Sequence, residues 1–398
     1  MPKIKPEIET FARIKVIGVG NSGGNSINHM IDSKVKGVEF IAVDSDAQKL
    51  HYNYAPKKIH IGKNLTKGLG AGMNPEIGRQ SAEETKESIQ EALKGADMVF
   101  IACGFGGGTA SGAAPVVARI AKEQGILTIA VITKPFVFEG MQRMRIAEVS
   151  LNDLKDSVDT MIVIPNDRIL TLVEKETTFL SAFKMCDEIL RQAVEGISDL
   201  ITIPGIINVD FADVKTIMLN AGSALMGIGS AQGEDRAKKA AQMAINSPLL
   251  DIAIDGAKGV LFAISGGEDM TMLEIQEAAN VITESIDQEA KVIFGAINDD
   301  RLKKGELKVT VIASGFPEGK NARKPSLFPG SVTGREKDLF PEQSRKESPS
   351  PLGKDKVETG REGRDMRDVR SEKEKERDGE RDEDSWDAIP AFLRRKKN

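Results

Sequence analysis

Cysteine is almost missing from this chain of 398 residues, with Cys103 and Cys186 as the only two. That excludes a disulfide framework and a dedicated zinc site, and it fits a reducing cytosol. An excess of basic residues is also lacking: 55 Lys and Arg stand against 60 Asp and Glu, a formal charge of -5, so nucleic acid is not an implied partner. No apolar run is long enough to span a bilayer, and residues 1–7 hold no apolar core of signal-peptide length. A soluble cytoplasmic protein is expected, with no direct membrane span. The pattern Gly-x-x-x-x-Gly-Lys-[Ser/Thr] occurs nowhere, which excludes the ordinary P-loop.

What the chain does have is glycine in clusters. The run Cys103-Gly104-Phe105-Gly106-Gly107-Gly108-Thr109-Ala110-Ser111-Gly112-Ala113-Ala114-Pro115 follows an apolar stretch, 98–102, that reads as a buried strand. It leads into 116–121, which reads as a helix. Strand, glycine loop, helix is a phosphate-binding arrangement, because glycine lets backbone N–H groups approach an anion at the positive end of the helix. A plain packing turn is the bland alternative, and the glycine density exceeds what a turn requires.

A second cluster, Gly20-Asn21-Ser22-Gly23-Gly24-Asn25, follows the strand 13–20 and precedes a helix expected over 26–31. A third, 68–75, contains Ala71 and Gly72 and precedes a helical stretch over 75–93. Further strands are expected at 38–44, 58–62, 127–133 and 161–166, with a helix over 141–154. Such alternation implies a parallel sheet with ligands at the carboxyl ends of its strands, where the three glycine loops, Asp44 and Asn166 all fall. Gly18-x-Gly20-x-x-Gly23 with Asp44 also satisfies the dinucleotide fingerprint, leaving an NAD-dependent oxidoreductase as a distant alternative. Several glycine loops around one site fit a mononucleotide better.

Residues 177–201 read as one long helix on an apolar stripe of Phe183, Cys186, Leu190, Val194, Ile197 and Ile201. After Pro204-Gly205 comes a turn with Asn208, Asp210 and Asp213, where local logic has Asp213 capping a helix from Val214 and Asp210 making an Asx turn. Strands at 224–229, 259–264, 292–297 and 307–313, the last two adjacent, and helices at 234–245 and 270–286 make a second domain without a phosphate loop. Beyond 317 the mixed charge and scarce apolar residues read as a disordered linker. The lone Trp386 opens an apolar tip ahead of Arg394-Arg395-Lys396-Lys397, which reads as a short binding peptide.

Four of these segments together resemble the FtsZ/tubulin family of cell-division GTPases: Gly106-Gly107-Gly108-Thr109 with Gly112-Ala113-Ala114-Pro115, Phe136-x-Phe138-Glu139-Gly140, the stretch 208–214, and Ile389-Pro390-Ala391-Phe392-Leu393-Arg394. The resemblance covers residues 12–316 and the last fifteen. It implies a Rossmann-like α/β GTPase domain at 13–176 after an N-terminal extension 1–12, a central helix 177–203, a second α+β assembly domain 204–316, a disordered linker 317–383 and a partner-binding tail 384–398.

It further implies GTP or GDP with Mg2+. Gly20, Asn21, Ser22, Gly23, Gly24 and Asn25 would hold phosphates together with Gly106, Gly107, Gly108, Thr109, Ala110 and Ser111, with Ala71 and Gly72 near the terminal one. Glu139 and Arg143 would lie by the ribose, Phe183 would stack on guanine, and Asn166, Asp187 and Asn25 would bond the nucleoside. Asp210 and Asp213, beside Asn208, would act on the nucleotide of the next subunit in a head-to-tail homopolymer at the mid-cell division site. Residues 387–395 would bind membrane tethers such as FtsA. Asn21, Ser22 and the Ala110-Ser111 pair depart from the family's usual glycines and Gly-Thr, which keeps a GTP-binding scaffold with slow hydrolysis as the alternative.

Overall fold

The computed structural model describes residues 12–171, 176–203, 205–250, 254, 256–299 and 301–316. The expectations for residues 1–11, the linker and the tail peptide lie outside the described residues. The strands are β1 (Ile14–Val19), β2 (Val38–Asp44), β3 (Lys57–His60), β4 (Met98–Gly104), β5 (Leu127–Lys134), β6 (Thr160–Pro165), β7 (Gly222–Gln232), β8 (Gly259–Gly266), β9 (Lys291–Asn298) and β10 (Glu306–Ser314). Between the first six run α1 (Gly20–Asp32), α2 (Ala47–His51), α3 (Lys63–Thr66), α4 (Pro75–Glu84), α5 (Lys86–Leu93), α6 (Thr109–Glu123) and α7 (Met141–Lys155). After β6 come α8 (Asn166–Ile169), α9 (Phe179–Thr202), α10 (Phe211–Met218), α11 (Arg236–Ile245) and α12 (Met272–Thr283).

All strands join one sheet in the order β3-β2-β1-β4-β5-β6-β7-β10-β8-β9. The first six pair in parallel, and their order reverses direction between β1 and β4, the place where open α/β sheets bind ligands. Every residue of β1 is buried, as are the first six of β4, so both read as continuous apolar runs without alternation. One face of the sheet is covered by α1 and α9, where Ile27, Met30, Leu190 and Val194 meet Val16 and Phe100. The other is covered by α5, α6 and α7 through Ile89, Val117 and Leu151.

The sheet continues into the C-terminal half through a short parallel join, Thr160 to Gly222 up to Ile162 to Ala224. There the sequence reading needs a correction. Strand β10 lies between β7 and β8, antiparallel to both, while β9 pairs with β8 at the outer edge, so the last two strands in the chain are not neighbours. The apolar pattern of a strand does not tell which strand it will pair with; here α11 and α12 pack with β8 and β10 in a third core.

The stretch 75–93 is two helices broken at Thr85, which leaves the α-helical backbone region at φ -111° and ψ 19°. Both glycine clusters also start their helices earlier than expected: α1 begins at Gly20, not Ser26, and α6 at Thr109, with Pro115 inside it. Low helix propensity argued for loops. Tertiary packing overrides it, since a Cβ at Gly112 would lie 1.9 Å from the Pro75 carbonyl oxygen, so only glycine lets α6 run this close to α4.

Candidate nucleotide site

The chain turns from β1 into α1 at Gly20, where φ is +72°, a conformation that favours glycine. Gly18 and Gly23 serve packing: a Cβ on Gly23 would lie 2.3 Å from the Ala102 carbonyl oxygen, and one on Gly18 2.3 Å from that of Gly23. Their absence seats α1 directly on β1 and β4. Asn21 has no positive φ, so the departure from glycine there costs no strain. Ser22 projects toward Gly104, whose missing Cβ makes room for the hydroxyl.

A cavity of about 500 Å3 opens at the strand ends around this turn. Gly20, Asn21, Ser22 and Asn25 line it from α1, Gly72 from the loop before α4, and Gly107, Gly108, Thr109 and Ala110 from the start of α6. Glu139, Arg143, Asn166, Phe183 and Asp187 complete the predicted set on its wall. Gly23, Gly24, Ala71, Gly106 and Ser111 are not on that wall, and Gly24 lines a second cavity instead. Asn53 Nδ2 donates to the Gly24 carbonyl at 2.8 Å, and the Gly106 N–H donates to Ser111 Oγ at 3.0 Å. Ser111 thus braces the loop. Gly108 N–H donates to the Gly72 carbonyl at 2.8 Å, which ties two of the glycine segments together.

Neither α1 nor α6 has a side-chain N-cap or an acidic residue in its first turn. Helices α2, α4, α9 and α12 are capped by Asp46, Asn74, Thr178 and Thr271, while α3, α5, α7, α8, α10 and α11 also lack a side-chain cap; the N-termini of α1 and α6 both line the cavity. Two uncapped helix N-termini facing one cavity present unused N–H donors and two positive dipole ends, an arrangement suited to phosphate oxygens.

The opposite wall is apolar and amidic. Phe183 belongs to a chain of aromatic contacts with Phe136 and Phe179, at centroid distances of 5.2 and 4.8 Å. Asn166 is buried, and its Oδ1 has no hydrogen-bond partner among the described residues. Asp187 accepts from Ser26 Oγ at 2.7 Å; burial pushes its carboxyl above the usual range, and that hydrogen bond opposes the shift. Glu139 is engaged locally, accepting from the Phe136 N–H at 3.0 Å and from Arg143 at 3.1 Å.

Thr133, Pro135, Phe179, Leu180 and Cys186 also line the cavity and were not singled out as site residues. Cys186 is on the apolar stripe of α9, but nothing in the stripe says which turn faces a ligand. Asp44 lies off this wall in a smaller cavity of about 230 Å3, its carboxyl pushed up to about 6 by burial and its Oδ1 accepting from the Asp46 N–H at 3.1 Å.

Asn208, Asp210 and Asp213 are not on the cavity wall. They lie at the opposite edge of the parallel sheet, because α10 ends at Met218, whose carbonyl accepts from Thr160 Oγ1 at the start of β6, while the cavity lies past the end of β6. The local expectation of a cap and an Asx turn is corrected. Helix α10 starts at Phe211, with Asp210 at the N-cap position making no side-chain cap bond and Asp213 inside the first turn. Both carboxylates are exposed, and Asn208 Oδ1 accepts from the Gly205 N–H at 2.6 Å.

Comparison with known proteins bears on this geometry. A family model described as "Tubulin/FtsZ family, GTPase domain" matches residues 13–174, and one described as "FtsZ family, C-terminal domain" matches 222–317. Among solved structures, an empty FtsZ dimer from M. jannaschii is 47% identical with a TM-score of 0.74, covering 77% of this chain and 89% of that one. A single-substitution mutant of FtsZ from the same organism matches equally, over 92% of its own length. The CetZ2 protofilament with GTPgS from Haloferax volcanii is 21% identical, with a TM-score of 0.66 over 77% of this chain and 94% of its own, a likeness of fold.

Proposed function

The chain belongs to the tubulin/FtsZ family of GTPases, with an FtsZ-type C-terminal domain, and on that premise we propose that it polymerises head to tail and hydrolyses GTP at the junction between subunits. The observation that carries this is the separation of parts: phosphate-ready helix ends and a guanine-ready carboxylate on one sheet edge, two exposed carboxylates on the other. One chain cannot bring both to one nucleotide. A second copy placed in line can, and repetition of such a contact makes an open filament. The FtsZ dimer among the matched structures favours self-association.

In the proposed complex the α1 and α6 N-termini take the phosphates, Phe183 stacks on the base, Asn166 bonds the nucleoside, and Asp187 accepts from the two adjacent donors of guanine. Asp210 and Asp213 of the next subunit orient the attacking water, with Asn208 shaping their loop. Phosphoryl transfer asks chiefly for such positioning and charge stabilisation. Mg2+ would be carried chiefly by the phosphate oxygens; among the described residues no three His, Cys, Asp or Glu side chains gather into a metal site. Thr109, on the cavity wall with its Oγ1 2.6 Å from Ser45 Oγ, is the hydroxyl that would face the ion, which would neutralise phosphate charge. The filament would serve bacterial-type cell division at mid-cell in the cytoplasm. Among the described residues no helix is long and apolar enough to cross a membrane, so attachment there would run through residues 387–395 and a tether such as FtsA.

The test is GTP turnover per molecule against protein concentration, with sedimentation in parallel. A rate that rises above a threshold together with pelleting is the expected result; a flat rate would place a whole active site in one chain and overturn the shared site.

A further inference from the structure

Helices α1 and α9 both line the cavity, Gly20, Asn21, Ser22 and Asn25 from the first and Phe183 with Asp187 from the second. Behind it they are tied by two hydrogen bonds to consecutive residues: Ser26 Oγ to Asp187 Oδ1 at 2.7 Å, and His29 Nε2 to Glu188 Oε2 at 2.8 Å. The second tie is backed by charge, since Arg191 donates to both oxygens of Glu188, at 2.8 and 2.6 Å. The first rests on one hydroxyl. Ser26 is fully buried and absent from the cavity wall. Its proton has a second acceptor within reach, the Ser22 carbonyl at 3.0 Å, but the carboxylate is nearer and charged, so the bond goes to Asp187. Asp187 Oδ2 takes no protein donor among the described residues.

We propose that Ser26 is a positioning residue for base selection, pinning the Asp187 carboxylate from behind so that it meets the N1–H and 2-amino donors of a purine together. This rests on the assignment of Asp187 to guanine made above. A carboxylate held at one oxygen has lost its rotational freedom before the base arrives, so two donors in fixed geometry are met without further ordering. An unpinned carboxylate turns to satisfy one donor at a time. Ser26 therefore acts on the difference between a base with a 2-amino group and one without. His29 and Glu188 hold the helices together whether or not the hydroxyl is present.

The experiment measures equilibrium binding of GTP and of inosine triphosphate, which lacks the 2-amino group, by calorimetry on the full chain below its assembly concentration. Ser26→Ala is expected to weaken GTP about tenfold, the loss of one hydrogen bond to a charged group, and inosine triphosphate clearly less. Ser26→Thr, which restores the hydroxyl, recovers the ratio. Ser26→Cys, with its weak donor, stands in if the alanine variant does not fold. Equal losses for both nucleotides, or none, while Asp187→Asn narrows the ratio would overturn the role of Ser26 and leave the guanine assignment standing. An unchanged ratio in Asp187→Asn would remove the guanine assignment, and the role of Ser26 with it.

Discussion

Gly107 and Gly112 lie in one glycine-rich run and answer to different constraints. A Cβ at Gly112 would meet the Pro75 carbonyl oxygen at 1.9 Å and the Arg79 nitrogen at 2.5 Å, backbone atoms that move only if α4 moves. Gly107 has no heavy atom within 4 Å of that position and lines the cavity. Gly112→Ala is therefore expected to cost about 3 kcal/mol of stability in urea denaturation. Gly107→Ala should change stability by less than about 0.5 kcal/mol yet weaken GTP binding roughly tenfold or more, by blocking close approach of phosphate to the backbone. The reverse pattern would mean that the cavity is not the phosphate site. Sequence alone marked both glycines and could not separate their roles, because the separating atoms belong to α4, distant in the chain. Asn166 is a similar case: its strand-end position was legible, and its unpaired buried oxygen was not.

At the scale of elements, what the sequence makes plain is whatever periodicity fixes. Helix α9 was expected over 177–201 and spans Phe179–Thr202, because its apolar stripe repeats at helical spacing through to the core. The starts of α1 and α6 were missed because glycine masks a helix that tertiary packing holds in place. A second, polar stripe on α9 was not read at all. Glu195 and Asp199 there are buried and receive Arg301, which donates to them at 2.5 and 2.6 Å from the segment between β9 and β10. Arg301→Ala would strand Asp199, whereas Glu195 keeps Arg191 at 2.5 Å and Lys308 at 3.7 Å, and we expect a loss of about 3 kcal/mol, the low end for a broken buried pair because the arginine is partly exposed. Burial already pushes Asp199 up to about 6, with Arg301 opposing the rise, so its ionisation in the fold is unfavourable and stability declines as pH rises through that value. Without Arg301 the carboxyl is pushed higher still, so that decline extends to higher pH. Urea midpoints at pH 5 and pH 7.5 check this: the variant's deficit should be larger at pH 7.5, and an equal deficit would count against the stranded-carboxylate account.

For the whole molecule, the alternation of strands and helices foretold a parallel sheet with its ligand edge, but not that one sheet would run on into the C-terminal half through the Thr160 to Gly222 join. That continuity gives the two edges of the sheet their meaning. Because β6 and β7 share one sheet, the cavity beyond the end of β6 and the carboxylates of α10 near its start are held at opposite ends of one body. Two variants separate the halves. Asp213→Ala keeps a whole cavity and lacks a carboxylate; Asp187→Ala keeps both carboxylates and has a crippled base site. Each alone should hydrolyse GTP at least about tenfold more slowly than the natural chain, since every junction lacks one part. Mixed in equal amounts, they form some junctions that join the intact cavity of one variant to the intact loop of the other. Turnover of the mixture should then exceed the sum of the two separate rates, and it should fall back to that sum on dilution below the assembly threshold. A mixture that stays additive at every concentration, while both variants still co-sediment with the natural chain, would mean that each chain carries its own complete site, and the two edges of the sheet would need another explanation.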